Sequence, residues 1–474
     1  MTDLDPPAYR LRWLALVAVL TAEVMDLIDA VVVGIAAPSI RADLGGDSTV
    51  IQWVAAAYTL AFAVGLITGG RLGDLYGRRR MFLVGLVGFV GMSALCGLAT
   101  SPEMLVTSRV LQGLFGAVLI PQAFGIIKTM FPPHELAAAM GSFGPVIGLA
   151  AVGGPILGGA LIAWDLGGAG WRTIFLINVP IGLACLALAW RTVPESHAAH
   201  GPRLDPVGML LVSAGLVMLV LPLVEGRALG WPAWVLALLV ASAPVLVLFG
   251  VHQVRRSRAG RSPLVEPGLF ASRAFSAGMA VSIVFFAAMT GLIFALGLYL
   301  QLALGFTPLE AALTQAPWAL GSAVGAVLSG AVLGRYGRPV LQSGAVLMAA
   351  GVGGVLLALG LTGGVVTGWQ LAPGLLLCGI GMGLLITLLF SIVLAGVGVD
   401  VVGSGSGVLN AVQQLGAASG VAVLGTVFFG RFEAGDPLGA FSTVLWAVTA
   451  LILLAGALAA LLPRHAREDA DALV

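Results

Sequence analysis

The feature that most constrains this chain is a succession of long apolar runs separated by short polar stretches. A bilayer core of about 30 Å requires about 20 apolar residues of helix, because a helix rises about 1.5 Å per residue. The sequence therefore predicts an all-α polytopic membrane protein with fourteen transmembrane helices, at about 13–37, 50–70, 81–100, 104–126, 136–163, 173–191, 206–224, 232–252, 275–301, 308–333, 340–361, 370–395, 404–430 and 440–462.

Composition excludes a soluble protein and disfavours several functions. Hydrophobic residues make up 59% of the chain and charged residues 9%, whereas soluble domains carry about 25% charged residues. The net charge of +1 gives no reason to expect nucleic acid as a partner. The three cysteines are isolated within apolar runs, so neither a disulfide nor a metal site is predicted. No nucleotide-binding loop or Ser/His/Asp set is evident, so an ATP-driven pump and an enzyme are disfavoured and no cofactor is expected.

The basic residues predict the orientation of the helices. With the N-terminus inside, eighteen of the 23 lysines and arginines fall in one set of loops and four in the other, while Arg109 lies within a helix. Cytoplasmic loops carry the excess of Lys and Arg. We therefore expect a multi-pass protein of the bacterial inner membrane with both termini in the cytoplasm.

Three acids interrupt the first apolar run, at Glu23, Asp26 and Asp29. A carboxylate near the bilayer centre costs at least about 3 kcal/mol, so three in one span require a reason. Steps of three residues place them on one broad helical face. Intramembrane acids that gain and lose protons are a means of using a proton gradient. We predict that these acids couple transport to protons, with Arg109 as their ionic partner; the alternatives are a structural ion pair, or acids in the headgroup zone.

The loop after the second run reads GRLGDLYGRRR over residues 70–80. Asp74 beside Arg78 and Arg79 predicts a charge pair that latches helices in one state of the protein, and Gly70 and Gly77 permit close backbone approach. The alternative is a basic anchor with a tight turn. The loop resembles the signature G-x-L-x-D-x-x-G-R-[KR] of the major facilitator superfamily.

A weaker copy of this signature, GAVLGRYGR, occupies residues 330–338. It keeps Arg338 but has glycine where the acid would stand. Corresponding loops in two halves are what the internal repeat of that superfamily implies. The missing acid predicts that the conformational gate lies mostly in the N-terminal half.

Three further motifs resemble the superfamily or particular families within it. Arg109 with Gln112 resembles the R-x-x-Q-G motif of the superfamily, to which proton transfer is attributed. WRTIFLINVPIG at 171–182 and the acid at Asp29 resemble the fourteen-helix drug:H+ antiporter family. The motif of the exporting antiporters is matched by Gly154, Pro155, Gly158 and Gly159.

The resemblance implies two six-helix bundles with two additional helices between them. The predicted parts are an N-terminal bundle at 1–192, a linker at 193–204, two additional helices at 205–252, a basic cytoplasmic loop at 253–273, a C-terminal bundle at 274–463 and a disordered tail at 464–474. The basic loop is expected to lie on anionic headgroups, with a dedicated lipid or partner site as the alternative. A monomer is the default expectation for this family.

The predicted function is proton-driven export of amphipathic drugs, antibiotics or other lipophilic or cationic compounds by alternating access. The alternatives are export of one endogenous metabolite or lipid, and a facilitator or importer of small metabolites. Aromatic and amide side chains within the runs are the predicted substrate contacts: Trp53, Tyr58, Gln112, Phe294, Gln301, Trp318, Asn410 and Gln414.

Overall fold

The computed structural model describes residues 9–45, 48–196, 205–226, 229–395, 397–398 and 402–463. The first eight residues, part of the predicted linker and the predicted tail therefore lie outside the described residues. Sixteen α-helices follow one another within the described ranges: α1 Arg12–Leu44, α2 Ser48–Tyr76, α3 Arg78–Gly97, α4 Pro102–Met130, α5 Pro133–Gly141, α6 Phe143–Trp164, α7 Thr173–Leu176, α8 Asn178–Thr192, α9 Pro206–Glu225, α10 Ala233–Arg258, α11 Arg273–Leu298, α12 Pro308–Tyr336, α13 Arg338–Thr362, α14 Gly368–Ala395, α15 Val402–Phe432 and α16 Pro437–Leu458.

Eleven helical stretches among the described residues are long and apolar enough to cross a bilayer. The prediction of an all-α polytopic membrane protein is confirmed at this level, whereas the number fourteen is not. Helices α1, α2 and α6 are not among the eleven. Helix α1 has three acids within its apolar stretch, which is more charged residues than a helix that faces lipid usually contains.

The fifth predicted run is divided in two, with α5 ending at Gly141 and α6 beginning at Phe143. Helix α6 continues through Pro155. The break lies at Ser142, whose hydroxyl donates to the carbonyl of Ala139 at 2.6 Å. The backbone N–H of Ser142 bonds to the same carbonyl at 3.3 Å, so the helical ladder changes here from bonds four residues back to a bond three residues back.

Each half of the chain packs around pairs of helices that approach closely. In the first half α4 packs on α2 and α3, and in the second half α14 packs on α12 and α13. Gly113 of α4 illustrates why: a Cβ at this position would lie 2.5 Å from the carbonyl oxygen of Tyr58 in α2. Glycine at such positions permits backbone contact between helices within a membrane.

The two halves meet through α2 with α15 and through α6 with α12. Helices α9 and α10 form a pair, and α9 packs on both α2 and α15. We call the end of the molecule at which α1 begins the Arg12 side, and the opposite end the Leu44 side. The end of α2, the start of α15 and the start of α9 all lie at the Arg12 side.

Candidate functional site

Asp29 lies at the centre of a buried polar cluster formed by α1, α3, α4 and α8. Its carboxylate forms an ion pair with Arg109 of α4. The same carboxylate accepts hydrogen bonds from Gln112 Nε2 at 3.0 Å and from Asn178 Nδ2 at 2.9 Å. Asn178 also donates to Ser93 Oγ at 3.0 Å. Because every donor comes from a helix other than α1, the cluster fastens α1 to the rest of the first half.

Arg109 is fully buried and its guanidinium is well satisfied. Besides Asp29, it donates to the carbonyl oxygen of Val54 at 3.1 Å and to Gln112 Oε1 at 2.9 Å. The guanidinium carbon lies 4.2 Å from the ring centroid of Tyr58, within the range of a cation–π contact. A permanent cation inside a membrane protein requires such compensation, since arginine does not lose its proton.

Glu23 and Asp26 lie apart from this cluster, on the wall of a cavity of about 150 Å³. The hydroxyl of Tyr58 donates to Asp26 Oδ1. The three acids were expected to share one broad face of α1. The structure divides that face between two sites, because Asp29 does not line the cavity. Six residues of helix correspond to about 120° of rotation between Glu23 and Asp29. Tyr58 is the link between the two sites, since it contacts Asp26 with its hydroxyl and Arg109 with its ring.

The cavity lies between the two halves and is lined by both. Helix α15 contributes three amides, while α2, α4, α6 and α14 contribute aromatic rings. The cavity is smaller than the pockets of about 300–1,000 Å³ that usually hold drug-sized ligands. The polar and aromatic lining residues outside α1 are Tyr58, Thr59, Phe62, Phe124, Phe143, Phe390, Asn410, Gln413 and Gln414.

Asp74 and Arg78 of the predicted gate lie at the Arg12 side and are bonded to each other. Asp74 Oδ1 accepts from Arg78 Nη2 at 3.0 Å, and Asp74 Oδ2 accepts from the backbone N–H of Ser404 at 3.2 Å. The first bond joins α2 to α3, and the second joins the first half to the start of α15. Lys128 of α4 also donates to the carbonyl of Val397, just before α15. We call Asp74, Arg78 and Ser404 the Asp74 gate.

Arg79 and Arg338 act within their own halves. Arg79 Nη2 donates to the carbonyl of Trp190 at 2.6 Å, at the end of α8. Arg338 Nη1 donates to the carbonyls of Ala460 and Leu462 at 2.8 and 3.1 Å, after α16.

The glycines preceding α3 and α13 occupy equivalent turns. Gly77 has φ 98° and Gly337 has φ 54°, a region that glycine adopts without strain. The repeat predicted from sequence is thus visible in the turns, while the charge pair occurs in the first half alone among the described residues.

Comparison with known proteins identifies the family. Residues 19–421 match the family described as Major Facilitator Superfamily. The chain belongs to the major facilitator superfamily. Among its relatives, the "Probable actinorhodin transporter" of Streptomyces coelicolor is 53% identical over 90% of this chain and 74% of its own length. The "Tetracenomycin C resistance and export protein" of Streptomyces glaucescens is 34% identical, with 90% and 78% covered. The puromycin resistance protein of Streptomyces alboniger is 37% identical, with 89% and 83% covered.

Solved structures support the same fold. The human organic anion transporter MFSD10 superposes with a TM-score of 0.64 at 17% identity, over 96% of this chain and 100% of that one. The proton:xylose symporter XylE superposes with a TM-score of 0.66 at 16% identity, over 94% of both chains. At such identities these structures show the major facilitator fold alone.

The glycine motif in α6 of this major facilitator protein packs on α1. Gly154 and Gly158 are buried, and a Cβ at Gly158 would lie 2.8 Å from Cγ1 of Val32. A Cβ at Gly159 would meet nothing within 4 Å. The side chain of Pro155 lies outside the described residues. One glycine of the pair therefore sets the approach of α6 to the helix that carries the acids.

The predicted substrate contacts divide into three groups. Tyr58, Asn410 and Gln414 line the cavity, and Gln112 belongs to the Asp29 cluster. The structure does not bring the remaining four to the cavity. Trp318 is buried and donates to the sulfur of Met382, Gln301 is exposed and donates to the carbonyl of Gly297, and Trp53 and Phe294 are half-buried elsewhere in α2 and α11.

Sequence reasoning missed Asn178, Gln413 and the cavity phenylalanines. Asn178 lies inside the quoted motif WRTIFLINVPIG, and an amide in an apolar helix is a usable signal. The phenylalanines gave no such signal, since an aromatic residue in a membrane helix is more often packed against its neighbours.

Proposed function

We propose that this protein exports an amphipathic drug or antibiotic in exchange for protons, by alternating access of the central cavity. One observation carries the proposal. Glu23 and Asp26 line a cavity, while the neighbouring ion pair of Asp29 and Arg109 on the same helix is buried and does not line it. The names of the relatives, which refer to antibiotic transport and resistance, support the direction and the kind of substrate.

The proposed chemistry assigns different roles to the acids. Glu23 and Asp26 face the cavity, so water in the open state reaches them and they exchange protons there. Asp29 holds Arg109 near the middle of α1, on a side of the helix that is buried in the first half. Protonation of Asp26 weakens its attraction for the hydrogen-bond donor of Tyr58, and Tyr58 contacts Arg109. A change of charge at the cavity is thereby transmitted to the cluster that fastens α1.

The proposed cycle uses the cavity walls for substrate binding. Aromatic rings offer an apolar surface, the amides of α15 offer donors and acceptors, and the carboxylates attract a cationic or donor group. Protonation of the carboxylates in the outward-open state removes that attraction and releases the substrate. We also propose that the protein is a monomer with fourteen transmembrane helices. We propose in addition that the Arg12 side faces the cytoplasm, because the loops at that side contain the excess of arginines.

A second candidate is an exporter dedicated to one endogenous compound. The relative with 53% identity is named for a single compound, actinorhodin, which favours a narrow substrate range. A facilitator or importer lacks such support among the relatives described above.

The test is uptake into everted membrane vesicles, in which respiration acidifies the lumen. Actinorhodin, tetracenomycin C, puromycin and a cationic dye are the substrates. We expect accumulation of at least one compound that a protonophore abolishes and that Asp26→Asn and Asp29→Asn each remove. Accumulation of only one of the four favours the dedicated exporter, and accumulation that ignores the protonophore contradicts proton coupling.

A further inference from the structure

The end of α10 carries a basic surface on its exposed face. Val240, Val247, Val251 and Val254 are exposed and follow one another at helical spacing along this face. Arg255 and Arg258 lie four residues after Val251 and Val254, so they continue the same stripe.

Both arginines are exposed, as is Arg261 just beyond the helix. From Val240 to Arg258 the helix rises about 27 Å, which places these arginines at the level of the headgroups. We call Arg255, Arg258 and Arg261 the basic patch.

The opposite face of the same helical turn holds the following loop in place. Gln253 is buried, and its Oε1 accepts from the backbone N–H groups of Leu264 and Val265 at 2.7 and 3.2 Å. Gln253 Nε2 donates to Asp205 Oδ2 at 2.9 Å, at the start of α9. Arg256 Nε donates to the carbonyl of Ser262 at 2.7 Å. The end of α10 and residues 262–265 are therefore one connected unit.

This unit is bonded directly to the gate. Ser404 Oγ donates to the carbonyl of Leu264 at 3.0 Å, while the backbone N–H of Ser404 donates to Asp74. A continuous set of hydrogen bonds thus runs from the end of α10, through Gln253 and Leu264, to Asp74 and Arg78. Helices α9 and α10 connect the lipid surface to the residue that joins the two halves.

We propose that anionic phospholipid headgroups bind the basic patch and stabilise the closed Asp74 gate through this set of hydrogen bonds. The phosphate of a headgroup is the complementary anion for exposed arginines at the membrane edge. Lipid bound there holds the end of α10, and with it Leu264, in the position that bonds to Ser404. Opening of the Arg12 side requires that the bonds around Ser404 break, so a bound anionic lipid opposes it.

The experiment uses the full chain in nanodiscs of phosphatidylcholine, with and without phosphatidylglycerol, and needs neither substrate nor a pH gradient. Lipid binding is measured by native mass spectrometry, and the gate is followed by hydrogen exchange of the amides at 402–406. We expect phosphatidylglycerol to bind and to slow this exchange. In Arg255→Gln/Arg258→Gln the binding should weaken about thirtyfold, since each arginine near the surface contributes about 1 kcal/mol, and the slowing should disappear.

Two further variants separate binding from transmission. Arg10→Gln/Arg191→Gln removes the same charge from exposed arginines at the Arg12 side and should leave both effects intact. Ser404→Ala should retain phosphatidylglycerol binding but lose the slowing of exchange. Equal losses in the two double variants would overturn the assignment to the basic patch. Slowing of exchange by soluble inorganic phosphate alone would overturn the assignment to lipid. Binding without any change at 402–406 in the unmodified protein would overturn the coupling to the gate.

Discussion

Replacing Asp29 by asparagine tests the buried cluster most sharply, because it removes one charge and leaves the shape unchanged. Asp29 accepts from three side chains, of which Arg109 is charged and fully buried. Removing one partner of a buried ion pair costs about 3–5 kcal/mol, because the other charge is left uncompensated. Arg109 retains its bonds to Val54 and Gln112, so we expect a loss near the lower end, about 3 kcal/mol.

The full design is a double-mutant cycle of Asp29→Asn with Arg109→Gln, measured by reversible unfolding in detergent micelles. In the double variant no charge remains buried at the cluster, so its loss should be smaller than the sum of the two single losses. The expected coupling free energy is about 2–3 kcal/mol.

The chain offers a matched control in Asp43 and Arg172. This pair joins α1 to the segment preceding α7 at 2.5 Å, but the side chains are 46% and 27% exposed. Water screens such a pair, so the cycle of Asp43→Asn with Arg172→Gln should give a coupling below about 1 kcal/mol. A buried coupling no larger than the exposed one would refute the assignment of Asp29 and Arg109 as the pair that fastens α1.

Two further predictions concern the neighbours of the acids. Tyr58→Phe keeps the ring beneath the guanidinium of Arg109 but removes the hydroxyl that donates to Asp26. We expect the free energy of unfolding to fall by about 1–2 kcal/mol in the same assay, and proton-driven export in vesicles to be slower. Unchanged export would show that Tyr58 takes no part in the coupling. Gly158→Ala should destabilise the protein by about 1–3 kcal/mol, because its Cβ would lie 2.8 Å from Val32. Gly159→Ala has open space around its Cβ, so its free energy of unfolding should lie within about 0.5 kcal/mol of that of the parent. Equal losses in the two variants would show that the glycine motif does not act through α1.

The sequence predicted the positions of the helices because the requirement for apolar length in a bilayer is strong. The third run, expected at 81–100, is α3 at Arg78–Gly97, and the twelfth, expected at 370–395, is α14 at Gly368–Ala395. The break at Ser142 was not predicted, since a local change in the backbone hydrogen bonds of an apolar run leaves hydropathy unchanged.

The pairing of Arg109 with an acid of α1 could be predicted because an intramembrane cation must meet an anion. Which acid it meets depends on the rotation of α1 against α4 and α8, and neither rotation nor packing is encoded in hydropathy. For the same reason the separation of Asp29 from Glu23 and Asp26 emerged only from the structure. Of the three amides of α15 that line the cavity, Asn410 and Gln414 were predicted and Gln413 was not. A polar side chain in an apolar helix indicates a cavity, but the sequence does not show which of its neighbours also faces that cavity.

Measuring both fluxes at once tests most directly whether substrate leaves in exchange for protons through the acids of α1. Purified protein in liposomes with a trapped pH-sensitive dye would be given an exported substrate outside, with no gradient imposed. We expect substrate uptake to release protons from the lumen in a fixed ratio, and we expect Asp26→Asn to abolish this proton release. Substrate flux that proceeds at the parent rate with no proton movement, or proton release that persists in Asp26→Asn, would contradict this mechanism.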